Sequence, residues 1–141
     1  MVTAILDTNV FIRAALRPAS PSARVFDAYL DGKFQLILSH AVLEELMAVF
    51  ILPAIRRHHG WSDEEILDFL IKLPVGAALF PGRVPVPASI PRDVSDVKFL
   101  SLAHESEADY LVTKDGRHLL RLKEYRRTRI VTPTQFLASL S

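Results

Sequence analysis

Short apolar runs alternate along the chain with longer stretches in which apolar residues recur at helical spacing. The short runs predict buried strands, because an unbroken apolar run is typical of a strand that is covered on both faces. Five such strands are predicted, at residues 2–6, 34–38, 77–80, 110–113 and 129–131. Their alternation with helices predicts an α/β fold whose parallel sheet has helices on both faces.

The longer stretches predict helices, and several of them have recognisable start signals. Ser20 precedes Pro21, which is the N-cap and first-turn pattern of a helix. Ser39 can cap the helix after the second strand, while Ser62 and Thr132 each open a capping-box pattern. Further helices are predicted at residues 8–16, 95–107 and 115–122.

Composition narrows the class of protein. The 141 residues are 50% hydrophobic and 23% charged, which predicts one globular domain over residues 1–141. The absence of cysteine excludes disulfides and thiolate zinc sites. The N-terminus has no signal-peptide pattern, and no apolar run is long enough to span a bilayer. The sequence therefore predicts a cytoplasmic protein without a membrane partner.

Four acids occupy comparable places in the predicted fold. Asp7 directly follows the first strand, and Asp115 follows the fourth. Glu45 lies in the second turn of the helix after the second strand, and Asp96 in the first turn of the helix before the fourth. Residues that follow parallel strands gather at one edge of the sheet, where open α/β folds bind their ligands. The four acids are therefore candidates for one site.

Several ionised carboxylates can share a pocket only if a counter-charge is present. Mg²⁺ and Mn²⁺ are hard cations that prefer oxygen ligands, and such an ion can activate water and stabilise charge on a phosphoryl oxygen. The chemistry predicted is phosphodiester hydrolysis. Taken singly, each acid also fits a structural role as a helix cap or surface residue, and spacing alone leaves the two interpretations evenly balanced.

Basic residues are concentrated near the fourth strand, although the net charge is only +1. Between residues 114 and 129 they are Lys114, Arg117, Arg121, Lys123, Arg126, Arg127 and Arg129, opposed by Asp115 and Glu124 alone. A basic segment beside an acid-lined site suits an enzyme that acts on a polyanion, but the charge cluster taken alone favours a solvated helix-and-loop surface. Candidate nucleic-acid contacts are Lys114 and Arg117, with Arg56 and Arg57 after the Glu45 helix.

Four segments resemble, in order, the acidic motifs of PIN-domain ribonucleases. They are residues 5–11 (ILDTNVF), 36–46 (LILSHAVLEEL), 92–103 (RDVSDVKFLSLA) and 108–115 (ADYLVTKD), the last followed by Leu119 and Leu120. Each motif is weak alone, but four in the same order are specific. The resemblance covers nearly the whole chain and is strongest to toxins of bacterial and archaeal toxin–antitoxin modules.

This resemblance implies a three-layer α/β/α fold with a central, mainly parallel sheet of four to five strands. It also implies an endoribonuclease that depends on Mg²⁺ or Mn²⁺ and hydrolyses RNA. The partners implied are the RNA substrate, a cognate antitoxin protein and a second copy of the chain in a homodimer.

Carried over by position, the resemblance assigns the metal ligands to Asp7, Asp96 and Asp115. Glu45 would position or activate the attacking water, or help to bind a second ion. Its neighbour Glu44 would point about 100° away around the helix. The residues expected to make supporting hydrogen bonds are Thr8 or Asn9, and Thr113.

The third motif departs from the family pattern. Val94 stands where a proline is usual, and Val97 where a second acid or amide often follows the main aspartate. Asp96 is therefore the acid expected to serve, with Asp93 as its substitute. In the fourth motif Lys114 stands where a small residue is common, so it could crowd the site or contact a substrate phosphate.

Two other classes of function stay open. The first is a non-catalytic PIN-like domain that binds RNA or protein, which the altered third motif favours. The second is a phosphatase with Asp7 as nucleophile, although such enzymes commonly have a second aspartate where this chain has Asn9. The five histidines show no metal-binding spacing, and surface roles are predicted for them.

Overall fold

The computed structural model describes residues 1–53, 55, 57, 61–90 and 93–141. Its centre is a six-stranded sheet of β1 (Thr3–Leu6), β2 (Gln35–Ser39), β3 (Ala78–Phe80), β4 (Tyr110–Val112), β5 (Glu124–Tyr125) and β6 (Thr128–Val131). The strand order is β3-β2-β1-β4-β6-β5, and every neighbouring pair except β5 and β6 is parallel. The mainly parallel sheet predicted from the apolar runs is confirmed.

The strand that the sequence did not predict is β5, an antiparallel edge strand of two residues. Its turn into β6 contains Arg126, which has a positive φ of 54°. Turns of this kind usually contain glycine or asparagine at such a position, and two residues are too few for a periodic pattern. The local sequence therefore carries no recognisable signal for this hairpin.

Helices cover both faces of the sheet in three layers. In the described residues they are α1 (Thr8–Leu16), α2 (Pro21–Leu30), α3 (His40–Phe50), α4 (Asp63–Lys72), α5 (Val97–Ser106), α6 (Leu119–Leu122) and α7 (Pro133–Ser139). Helix α2 packs against α1 and α7, while α5 packs against β1, β2 and β3. None of these helices is long and apolar enough to cross a membrane.

Most helix starts follow their sequence signals. The Ser20 and Ser39 hydroxyls accept hydrogen bonds from backbone N–H groups in the first turns of α2 and α3. Both Ser62 and Thr132 form complete capping boxes. The helix expected from residue 115 instead begins at Leu119, because the preceding residues form a turn around the Asp115 carboxylate.

The centre of the sheet explains where a site can form. The apolar residues of β1 are fully buried, and Leu6 is paired in register with Val112 of β4. From β1 the chain continues to β2 and β3 on one side, whereas β4 and β6 lie on the other. The carboxyl ends of β1 and β4 therefore flank a topological switch point, where open α/β sheets bind ligands.

Candidate active site at the carboxyl edge of the sheet

All four candidate acids line one cleft of about 390 Å³ at this switch point. The polar and charged residues around the cleft are Asp7, Thr8, Asn9, Glu45, Asp93, Ser95, Asp96, Lys114, Asp115, Arg117 and His118. Its apolar wall is formed by Ile12, Val49 and Phe99. Four segments that are far apart in sequence thus contribute acids to a single surface, as expected for residues that follow parallel strands.

Asp7 lies at the floor of the cleft. Its backbone N–H donates to the Val112 carbonyl at 2.9 Å, which fixes it beside the end of β4. Its side chain is only 6% exposed, and Oδ2 accepts a 2.7 Å hydrogen bond from the Thr113 hydroxyl. Burial raises the pKa of Asp7, with smaller upward contributions from Asp96 and Glu45, while the Thr113 hydroxyl and the Asn9 backbone lower it. Asp7 is also the N-cap residue of α1.

Thr113 connects two of the acids. Its hydroxyl donates to Asp7 and accepts a 3.0 Å hydrogen bond from the Asp115 backbone N–H. The Thr113 backbone N–H donates to the Val131 carbonyl at 2.9 Å, and the whole residue is buried. A hydroxyl with both a donor and an acceptor role fixed in this way holds the Asp7 carboxylate in one orientation.

Asp96 is also buried, at 5% exposure, in the 3₁₀ turn Val94–Asp96 that leads into α5. Its Oδ2 accepts a 3.0 Å hydrogen bond from the Asp93 backbone N–H. Burial is the main cause that raises the pKa of Asp96; Asp115 raises it further, whereas the Asp93 backbone and His118 lower it. Asp93, the expected substitute, is exposed and uses Oδ1 to accept from the Val94 N–H.

Asp115 lines the same cleft and is partly exposed. Its Oδ1 accepts hydrogen bonds from the Arg117 N–H at 3.0 Å and the His118 N–H at 3.3 Å. No hydrogen bond to Oδ2 is found within the described part of the chain. The turn therefore fixes Oδ1, while Oδ2 has no described donor and can bind a ligand of the cleft.

Glu45 enters the cleft from α3, whose start is set by Ser39 at the end of β2. Its Oε2 accepts a 2.7 Å hydrogen bond from the Thr8 hydroxyl and lies 3.0 Å from Lys98 Nζ. Glu44 is exposed and does not line the cleft. The helical phase that favoured Glu45 over Glu44 is therefore the phase observed.

Two charged or titratable residues, one beside the cleft and one lining it, were not assigned roles from the sequence. Lys98 forms the ion pair with Glu45, and its position two residues after Asp96 was the available signal. His118 was expected at the surface, but it is partly buried and lines the cleft. Its place three residues after Asp115, inside a turn closed by that aspartate, is a signal visible in the sequence.

The basic segment divides between the two ends of the sheet. Lys114 and Arg117 are exposed and line the acid cleft. Arg127 and Arg129 lie instead beside Asp109, which precedes β4 at the opposite, amino end of the strand. Only Lys114 and Arg117 of this segment therefore line the acid cleft, while Arg127 and Arg129 lie at the other end of the sheet.

The two arginines after α3, Arg56 and Arg57, were also candidates for contact with nucleic acid. Arg57 is exposed and is not among the residues that line the cleft. Arg56 lies outside the described residues. Their role in binding nucleic acid is unsupported by any described contact.

The cleft suits a divalent cation in the chemistry of its donors. Its acids offer only oxygen, the donor that Mg²⁺ and Mn²⁺ prefer, and the two buried acids have raised pKa values because desolvation and neighbouring carboxylates oppose their charge. A cation would relieve that opposition. Across the described ranges, however, no group of three or more histidine or acidic side chains is arranged to hold a metal ion. The match between the cleft and a divalent cation is therefore one of donor chemistry and electrostatics. It is not a match of three or more described side chains already placed as ligands.

Comparisons with known proteins place this site in context. The family model described as PIN domain matches residues 3–117 of the chain. A relative from Methanocaldococcus jannaschii is described as uncharacterized protein MJ1680. It is 25% identical to this chain over an alignment 143 residues long, which covers 96% of this chain and 90% of the relative. Among solved structures, the chain resembles VapBC2 from Rickettsia felis bound to a DNA fragment from their promoter. That match has a TM-score of 0.60 at 15% identity and covers 93% of this chain and 98% of the other, so it supports the fold.

Proposed function

The chain belongs to the PIN-domain family, and we propose that it is a metal-dependent endoribonuclease that acts as the toxin of a toxin–antitoxin module. PIN domains are generally nucleases, which supports hydrolysis of a phosphodiester bond. The observation that carries the proposal is the single cleft at the switch point of the sheet, into which four separate segments bring Asp7, Glu45, Asp96 and Asp115.

Asp7, Asp96 and Asp115 would hold a Mg²⁺ or Mn²⁺ ion. Each has one carboxylate oxygen bound by a donor of the protein: the Thr113 hydroxyl, the Asp93 N–H, and the N–H groups that follow Asp115. These hydrogen bonds orient the carboxylates before any ligand binds, which reduces the cost of assembling the site. The bound ion would polarise the scissile phosphate and lower the pKa of a coordinated water.

Glu45 would position the attacking water. Both of its described contacts, from Thr8 and Lys98, are made to Oε2. In the described part of the chain Oε1 has no hydrogen-bond partner, so it can accept a hydrogen bond from water. Correct placement of a nucleophile contributes a large share of the rate enhancement in phosphoryl transfer.

Lys114 and Arg117 would contact the RNA backbone. Both are exposed at the rim of the cleft, and no ion pair to either is found among the described residues. A phosphate drawn to these cations would lie next to the acids. Asn9 also lines the rim and can donate or accept a hydrogen bond there.

The partners proposed are a cognate antitoxin protein and a second copy of the chain. The likeness to VapBC2, a toxin–antitoxin complex, supports the first of these at the level of the fold. An RNA substrate would place the protein in the cytoplasm.

The test is cleavage of single-stranded RNA by the purified full chain. We expect cleavage with Mg²⁺ or Mn²⁺, none with EDTA, and none of a DNA strand of the same sequence. Cleavage that continues at the same rate in EDTA would remove the metal from the proposal. Stable RNA with either ion, across several unrelated sequences, would contradict the nuclease assignment.

A non-catalytic PIN-like domain that binds RNA or protein is the second candidate. The observation that favours it is that no group of three acids or histidines in the described ranges is arranged to hold an ion. Titration calorimetry with Mn²⁺ separates the two candidates. Saturable binding of Mn²⁺ supports the nuclease, and RNA binding without Mn²⁺ binding supports the second candidate.

A further inference from the structure

Lys98 lies beside the acidic cleft and forms an ion pair with one of its acids, Glu45. Its Nζ lies 3.0 Å from Glu45 Oε2, and the two side chains are only 20% and 30% exposed. An ion pair that is mostly shielded from water is screened less than one at the surface. Lys98 therefore acts on Glu45 at close range and from a protected position.

Three contacts fix the ammonium group. Besides the Glu45 carboxylate, Nζ donates a 2.6 Å hydrogen bond to the Ser95 carbonyl, one turn back along the chain. It also lies 5.0 Å from the centre of the Phe99 ring, within the range of a cation–π contact. A long lysine side chain held at three points has little freedom to swing into solvent, so its charge stays beside Glu45.

The hydrogen bonds on Glu45 are arranged unequally. Thr8 and Lys98 both bind Oε2. Within the described residues, Oε1 is left without a protein donor. The ammonium thus occupies one of the two oxygens through which Glu45 could bind a cation.

We propose that Lys98 is a positioning residue that holds Glu45 and stands in for a second metal ion, so that the site takes one divalent cation. This inference rests on the proposed nuclease function. A second divalent ion bound to Glu45 would have to displace the ammonium or lie beside it, and like charges at that distance repel. The described contacts of Lys98 involve Glu45, Ser95 and Phe99, so an ion held by the aspartates would not have to displace the ammonium.

The decisive measurement counts the Mn²⁺ ions bound by the full chain, by calorimetry and by electron paramagnetic resonance of the free ion. Wild type should bind one ion per chain. Lys98→Met, which keeps the apolar stem over Phe99 but removes the charge, should bind a second ion. Lys98→Arg should restore a count of one. Lys114→Met removes a lysine that lines the cleft and has no described ion pair, and it should leave the count at one.

Kinetics supply a second readout. In Lys98→Met we expect kcat to fall by about 10-fold to 100-fold, the range typical when a group that orients a ligand is lost, while KM stays near its wild-type value. High Mn²⁺ should recover part of that loss. If Lys98→Met does not fold, Lys98→Gln provides the same test.

The outcomes separate the two proposals. An active wild type that binds two Mn²⁺ ions, or a Lys98→Met variant that binds one ion with unchanged kcat, overturns the role of Lys98 alone. A wild type that binds no Mn²⁺ and cleaves no RNA overturns the nuclease assignment and this inference together.

Discussion

The two ends of the β1 and β4 pair both carry an aspartate, and the two aspartates differ in every respect that matters for chemistry. At the carboxyl end, Asp7 is buried, has a raised pKa and faces three other acids across a cleft. At the amino end, Asp109 is exposed, and its Oδ2 accepts from both the backbone N–H and the hydroxyl of Thr3. Asp109 links the start of β4 to Thr3 of β1, whereas Asp7 lines the cleft together with the other acids.

The difference shows what separates a structural acid from a candidate functional one. The Asp109 carboxylate is exposed to solvent and accepts two hydrogen bonds from Thr3, so its charge is satisfied locally. Asp7 is desolvated and receives one side-chain donor, Thr113. A protein keeps such an unfavourable charge when a ligand balances it, since burying an unbalanced carboxylate is costly.

The largest expected effect compares one acid from each end. Asp96→Asn should reduce RNA cleavage by roughly two to three orders of magnitude, the range seen when a pre-organised electrostatic contact is removed. Asp109→Asn should cleave within about twofold of wild type and lose at most about 1 kcal/mol of stability. Rates on a fluorescent RNA strand and thermal melts measure the two properties. Equal losses of activity in the two variants would break the comparison.

Thr113 binds Asp7 and Thr3 binds Asp109, and replacing each threonine should have effects of intermediate size. Thr113→Val removes the hydroxyl that binds Asp7 and Asp115 while keeping the shape of the side chain. We expect a loss of about 10-fold to 100-fold in kcat/KM, as for other groups that orient metal-binding ligands. Thr3→Val removes the matching hydroxyl at the amino end and should leave kcat/KM unchanged. A Thr113→Val enzyme with wild-type kinetics would show that Asp7 needs no partner.

Replacing the basic residues at each end of the sheet should have a smaller effect, on the affinity for RNA. Replacing Lys114 and Arg117 together by glutamine should weaken binding of single-stranded RNA and reduce the salt slope by about 0.7 for each phosphate that the protein no longer neutralises. The same change at Arg127 and Arg129, at the amino end, should leave that slope unaltered. Fluorescence anisotropy at several salt concentrations provides the slopes. The reverse pattern would place the RNA at the other end of the sheet.

The smallest effect concerns stability and pH. Burial raises the pKa of Asp7 above its ordinary value of 3.8, so the folded state holds the proton more tightly than the unfolded chain. The free energy of unfolding contributed by this group is therefore present below about pH 4 and is lost as pH rises through the raised pKa. Asp7→Asn should raise Tm at pH 7 in EDTA by about 2–4 °C, which corresponds to roughly 1 kcal/mol. Near pH 3 the two proteins should melt together. A lower Tm for Asp7→Asn at pH 7 would contradict the electrostatic cost.

Much of the fold follows from local sequence because its signals are local. Unbroken apolar runs predict buried parallel strands, and serine or threonine caps predict where helices begin, so the five strands and most helix starts were predictable. The β5 hairpin was not, since Arg126 adopts a positive φ that a glycine would normally announce. That conformation is imposed by pairing with β6 and not by the residues of the turn.

The acids of the candidate site could be predicted from the sequence, but the contacts of the charged residues around them could not. The position of Asp7 after β1 and of Asp115 after β4 follows from strand order alone. The Lys98 contact with Glu45 depends on how α5 packs near α3, and the departure of Arg127 and Arg129 from the cleft depends on the direction of the β5 hairpin. Both are tertiary facts that no spacing along the chain records.

The central claim is that the acids at the carboxyl edge, and not the acid at the amino edge, bind the catalytic ion. Thermal melts with saturating Mn²⁺ test it directly on wild type, Asp7→Asn and Asp109→Asn. At 100 times Kd an ion stabilises the folded state by about 2.7 kcal/mol, so wild type and Asp109→Asn should each gain roughly 5–10 °C. Asp7→Asn should gain less than about 1 °C if its affinity is lost. An equal gain in Asp7→Asn and wild type would contradict the account.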